Sequence, residues 1–168
     1  MMNRYVARYL TILMLAFIVA ACGFHLRGVA DLAFSKLYMK GSVSISKDLI
    51  SSLKTNGVII VKEPEEAEIM LDLMSDGIEK RILSLGGTGS VREFELFYRV
   101  KFRVRDASEE LWGQEQMIES RRDFSYLDTE LLAKSYEEAM LYEDMRRDAT
   151  RELMRRLVAQ KPKSKAVK

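Results

Sequence analysis

Between residues 94 and 104 apolar and polar positions alternate almost without exception. Phe94, Leu96, Tyr98, Val100, Phe102 and Val104 occupy one parity; Glu95, Arg99, Lys101 and Arg103 occupy the other, and only Phe97 interrupts the polar set. A period of two over such a length predicts a long strand with one buried and one charged face. Ahead of it, Ile69, Leu71 and Leu73 alternate, then the phase shifts to Ile78, Lys80 and Ile82. Gly77 stands at the shift and is the expected site of a bulge. Gly86-Gly87-Thr88-Gly89 predicts a hairpin tip, and residues 111–124, weakly alternating and polar, suit an outer strand. Upstream, residues 37–41 read as a first strand. Leu49, Ile50 and Leu53 read as one face of a helix, capped by Ser44 or Ser46 and ended by Gly57. Residues 58–61 then read as a short buried strand. The last element is an amphipathic helix carrying Ala139, Tyr142, Met145, Ala149, Leu153 and Leu157 on one stripe. Ser135-Tyr136-Glu137-Glu138 reads as its capping box. Together these elements predict an α+β fold: a mostly antiparallel four- to five-stranded sheet with two helices packed on one face, in a single domain over residues 37–160.

The first residues follow a different grammar. Arg4 and Arg8 precede an uncharged apolar run over residues 9–20, which ends at Val19-Ala20-Ala21-Cys22. That run is too short to cross ~30 Å of hydrocarbon as a permanent helix. A basic start, a short apolar core and small residues at a cleavage point are the marks of an export signal. The last four residues resemble the bacterial lipobox, which implies removal of residues 1–21 and acylation of Cys22, with residues 22–36 as the acylated spacer. A plain secretory signal is the alternative. Against it, Cys22 is the sole cysteine and has no disulfide partner within the chain. Several acyl chains anchor a domain firmly without a transmembrane helix. Gly23, where an aspartate would mark retention, resembles the sorting pattern for the outer membrane.

Charge and composition remove several function classes. The formal net charge of +2 equals the contribution of Arg4 and Arg8, so the chain without its signal is neutral and lacks the basic excess a nucleic-acid binder needs. Residues 161–168 read as a solvated basic tail. His25 is the only histidine, and the sequence has no second cysteine, no Gly-x-Ser-x-Gly and no phosphate loop. No carboxylate pair stands out either, so the chain is expected to be no enzyme and to use no cofactor beyond acyl groups on Cys22. Trp112 reads as a partly buried aromatic of the sheet.

Directly after the lipobox stands Cys22-Gly23-Phe24-His25-Leu26-Arg27-Gly28. This heptad resembles the LPS-assembly lipoprotein LptE family of Gram-negative outer membranes. Leu53-Lys54-Thr55-Asn56-Gly57-Val58 is similar to the family's helix end and return strand. Glu93-Phe94-Glu95-Leu96 is similar to the start of its long strand, and Leu132-Ala133-Lys134 to its loop before the last helix. The resemblance implies an outer-membrane lipoprotein that plugs and helps assemble an LptD-type β-barrel. It also implies binding of lipopolysaccharide on its way to the outer leaflet. It places a basic lipopolysaccharide contact at Lys134. A second basic contact of the family falls in the hairpin tip, where this chain has only Gly86-Gly87-Thr88-Gly89, so Arg81 or Arg92 would have to replace it.

Lipid A carries phosphates, which lysine and arginine pair with. Arg99, Lys101, Arg103 and Arg105 set four cations on one strand face. That face either meets an anionic glycolipid or an acidic barrel wall, or is balanced by acids on neighbouring strands. Outside the resemblance, a lipid-anchored auxiliary of an ABC transporter or secretion complex fits the same small domain.

Overall fold

The computed structural model describes residues 32–126 and 131–162. The export signal, Cys22, the heptad 22–28 and the end of the basic tail lie outside the described residues.

The elements run β1 (Lys36–Lys40), α1 (Ser46–Thr55), β2 (Ile59–Val61), a 3-10 turn (Pro64–Glu66), β3 (Ile69–Leu85), β4 (Val91–Asp106), β5 (Gln116–Ser125) and α2 (Leu131–Val158). They form one five-stranded sheet in the order β2-β1-β3-β4-β5. β1 lies parallel to β2 and to the start of β3, in short ladders; β3, β4 and β5 pair antiparallel over most of their length. The helical crossover α1 is what allows β1 and β2 to run parallel. Gly57 ends α1 with φ +80°, and the Val58 N–H returns to the Leu53 carbonyl at 3.0 Å.

Both helices cover the same face. Leu49 and Leu53 of α1, with Met145, Ala149, Leu153 and Leu157 of α2, meet Leu37, Leu71, Leu96, Val100 and Phe102 in one core. A smaller cluster of Val61, Ala67 and Met70, with Tyr38, Ala107 and the partly buried Trp112 against it, lies apart from that core.

Five local expectations give way. The bulge falls at Met74, because Leu73 pairs with Phe102 and Ser75 with Lys101, while Gly77 stays in register with Arg99. Residues 59–61 form an edge strand with Ile59 exposed, because β1 offers β2 a partner on one side only. Neither Ser44 nor Ser46 caps α1. Ile45 precedes the helix without a side-chain cap, and the Ser46 hydroxyl accepts the Val43 N–H at 2.8 Å. Ser135 lies inside α2, where its hydroxyl donates to the Leu132 carbonyl at 2.8 Å, so there is no capping box at that point. Ala139 is exposed; the buried stripe of α2 begins only at Tyr142.

Candidate functional site

The sheet is longer than its cover. β1 pairs with β3 only over residues 69–72, whereas the β3–β4 hairpin continues to Leu85 and Val91. Among the described residues α1 has no counterpart beside this upper half, which is faced by the N-terminal half of α2. The Met74 bulge matters here. It swaps the parity of β3, so that Asp76, Ile78, Lys80 and Ile82 share a face with Val100, Tyr98, Leu96 and Phe94, their partners on β4.

Three rings make the floor. Phe94 and Phe124 stack with centroids 6.5 Å apart, and Tyr126 meets Phe94 edge-on at 5.4 Å. Two ammonium groups sit against them. Lys80 Nζ lies 4.1 Å from the Phe94 centroid and 5.6 Å from that of Phe124. Lys134 Nζ lies 5.6 Å from the same Phe124 centroid. Sharing that ring, the two nitrogens stand within about 11 Å of one another. Each has an acidic neighbour on α2: Lys80 donates to Glu138 at 2.6 Å and Lys134 to Glu137 at 2.9 Å. An ammonium carries three N–H donors, so neither carboxylate exhausts its lysine.

Beside the lysines lies apolar surface that the domain leaves open. Ile78 and Ile82 flank Lys80 on β3 and are 56% and 59% exposed; Tyr136 and Met140 on α2 are 70% and 50% exposed. An open groove of about 500 Å³ runs along this part of α2, lined by Tyr136, Ala139, Met140, Tyr142, Glu143, Arg146 and Arg147. Exposed apolar surface beside charged groups is of the kind that marks interaction sites.

A polar clamp closes the lower end of this region. Asp76 Oδ2 accepts the Tyr98 hydroxyl at 2.7 Å and the Ser44 N–H at 3.0 Å. Burial pushes the Tyr98 phenol well above its ordinary value, and the bond to Asp76 adds to the shift. For Asp76, burial works upward, but the hydrogen bonds from Ser44 and Tyr98 outweigh it and hold the carboxyl below its usual range.

Lys134 thus sits in the first turn of α2, not in a loop ahead of it, with its side chain only 12% exposed. Arg81 is not brought to it. It points to the other face of β3, ion-paired with Glu79 and stacked 4.8 Å from the Phe97 centroid. Arg92 is exposed at the hairpin tip, its chain against Gly86, and has no ion pair among the described residues. Lys80 was not singled out by sequence reasoning, although its signal was present: it is the one charged residue in the apolar phase between Ile78 and Ile82.

The charged face of β4 is balanced by acids on its neighbours. Arg103 pairs with Asp72 at 2.8 Å, Arg99 with Glu79 and Glu119 at 2.5 Å each, and Lys101 with Glu115 at 3.0 Å. Arg105 donates to the Glu110 carbonyl at 2.8 Å and stacks on Trp112 at 5.1 Å. Among the described residues, no group of three His, Cys, Asp or Glu side chains is placed to hold a metal ion.

Comparison with known proteins points in one direction. Residues 35–157 match the model of the LptE family, described as lipopolysaccharide-assembly. The chain is 31% identical over 160 residues to an LPS-assembly lipoprotein LptE of Photorhabdus laumondii, covering 90% of this chain and 86% of that protein. It is similar to the solution NMR structure of an uncharacterized lipoprotein B from Nitrosomonas europaea, at 39% identity and a TM-score of 0.67, over 82% of this chain and 91% of that one. The crystal structure of a rare lipoprotein B from Shewanella oneidensis matches at 31% identity and a TM-score of 0.66, over 74% of this chain and 95% of that one.

Proposed function

The chain belongs to the LptE lipopolysaccharide-assembly family, and from that premise we propose that it is the acylated outer-membrane partner of an LptD-type barrel. In this reading it plugs the barrel, helps it assemble, and binds lipopolysaccharide during delivery to the outer leaflet. It does this as a binding and assembly subunit, not as an enzyme. Acylation of Cys22 holds the domain at the membrane, on its periplasmic side and in the barrel lumen.

The observation that carries the lipid contact is the pair of lysines on one aromatic cluster beside open apolar surface. Lipid A phosphates meet Lys134 and Lys80. Salt bridges to exposed lysines contribute little, but ammonium groups seated on ring faces and partly withdrawn from water pair more strongly with phosphate. Acyl chains would lie over Ile78, Ile82, Tyr136 and Met140, where about 25 cal/mol per Å² of covered apolar surface favours them. Lys134 is the primary contact and Lys80 its companion. Arg92 offers a separate cation at the tip, and Arg81, tied to Glu79 on the other face, has the weakest claim. The ionic face of β4 suits contact with a polar barrel wall, because cations from Arg99 to Arg103 that are already paired with acids lose little when water is replaced by matching polar groups.

The test is to recover the acylated chain from outer membranes and identify what accompanies it. A stoichiometric LptD-type barrel is the expected result. An inner-membrane transporter in its place, or no partner, overturns the assembly reading.

A further inference from the structure

The upper half of β3 has a partner on one side only. β4 pairs with one edge of it through to Leu85, whereas on the other edge β1 stops at Asp72. The loop after β1 carries the cover slightly further, since the Ser44 N–H reaches the Asp76 carboxylate. From Gly77 to Leu85 this edge has no strand beside it among the described residues. Ile78, Ile82, Leu83 and Leu85 along it are 47–59% exposed. An open edge of this length is a template for another strand, and folded proteins normally blunt it with charge, proline or a cover. Here charge is present, in an arrangement that does more than repel.

The edge reads Ile78-Glu79-Lys80-Arg81-Ile82, which is palindromic in character. Laid antiparallel against a second copy with the two-fold axis at Lys80, it sets Ile78 opposite Ile82, and Glu79 opposite Arg81, twice each. Aliphatic pairs and opposite charges directly across a ladder stabilise it, and like charges destabilise it. Two features oppose the match: Glu79 already pairs with Arg81 and Arg99 of its own chain, so the cross-ladder charges only extend existing pairs, and Lys80 faces its own copy. Its bridge to Glu138 on the same chain partly neutralises that repulsion. Shifting the register by one residue would put Glu79 against Lys80 but set Ile78 against Arg81, breaking the apolar pairs. Only the axis at Lys80 satisfies both sets.

We propose that the open β3 edge is a self-association surface, on which two copies of this chain join their sheets antiparallel about Lys80. An isologous contact of one short strand pair is small, of the kind that forms weak, reversible complexes. Anchoring in a membrane would raise its occupancy, because it confines both partners to one surface. The proposal does not rest on the lipopolysaccharide reading, and it concerns the chain outside a barrel, since a copy enclosed in a lumen has its β3 edge closed to a second copy.

The register is tested by cysteine cross-linking of the full acylated chain in detergent, with the unsubstituted chain, which carries Cys22, as background. In Lys80→Cys the two sulfurs meet on the axis, since opposed residues have Cα atoms about 4.5–5.5 Å apart, within disulfide range. In Ser84→Cys they stand eight positions apart, roughly 26 Å, and cannot join. The expected result is a covalent dimer for Lys80→Cys at a rate well above both controls. Sedimentation equilibrium gives an independent reading. Arg81→Glu sets like charges across the ladder twice and should abolish the dimer. Lys80→Thr removes the like-charge pair and should tighten it by about fivefold, a gain that a merely disruptive substitution cannot produce. Equal cross-linking at residues 80 and 84 overturns the proposal. So does a monomer at every concentration, including one whose edge amides become protected only when a barrel partner is added, which would assign the edge to that partner.

Discussion

Two lysines illustrate how far a side chain's role depends on what lies beneath it. By type alone, Lys134 and Lys80 are ordinary surface cations. Over the Phe94–Phe124–Tyr126 cluster they become positive charges held against aromatic rings. Lys134 was singled out by a motif at the expected place along the chain. Lys80 was not, because one charged residue within an apolar phase is easily read as a lapse in the pattern. A different residue-scale dependence holds the lower end of this region. Asp76 accepts from the buried Tyr98 hydroxyl and from Ser44, and its carboxyl lies below the ordinary 3.8. A depressed carboxylate stabilises the fold above its unfolded pKa and loses that contribution as pH falls through the lower folded value. Asp76→Ala, which strands the Tyr98 hydroxyl, should therefore cost roughly 1–3 kcal/mol at neutral pH. The gap from the parent chain should narrow below pH 3.8, as read by urea unfolding at both acidities. A gap as wide at pH 3 as at pH 7 would show that the charged form of Asp76 contributes nothing.

At the scale of elements, periodicity located nearly every strand and both helices, and physical reasons account for the misplacements. The phase change in β3 showed that one residue must be extra somewhere between Leu73 and Ile78 without saying which. Glycine was the natural choice, but this bulge needs no left-handed backbone; Gly77 is not among the positive-φ glycines, and Met74 takes the extra position. The start of α2 was read too late for a related reason. Ser135 has the chemistry of a cap, yet Leu131, Leu132, Ala133 and Lys134 are all good helix formers, and the helix continues back through them. That early start is what brings Lys134 down onto Phe124. The bulge has an equally specific consequence: without it Lys80 would face the ionic side of the sheet. Deleting Met74 should turn one half of β3 over, because side chains alternate between faces. The expected result is loss of several kcal/mol of stability or failure to fold, read from denaturant midpoints. A deletion mutant as stable as the parent would mean that the bulge does not set the register.

For the whole molecule, the sheet separates two kinds of surface. One face carries the helices and, above them, the lysine–aromatic cluster; the other carries the ionic ladder of β3, β4 and β5. The alternation in β4 announced this division, and the structure resolves one of its open readings: the four cations from Arg99 to Arg105 each have partners and are no free anion site. What the sequence could not show is the unequal length of sheet and cover, which depends on where β1 stops against β3. That mismatch leaves the upper edge of β3 open among the described residues. Family membership supplies the biological setting, and the proposed contact with an anionic, acylated ligand lies on the lysine–aromatic cluster. The most direct test is the affinity of purified lipopolysaccharide for the isolated chain and for Lys134→Gln and Lys80→Gln. Each substitution should weaken binding by about tenfold, the loss expected for one charge-assisted contact, while the unfolding midpoint stays near that of the parent. Unchanged affinity in both variants would contradict the account.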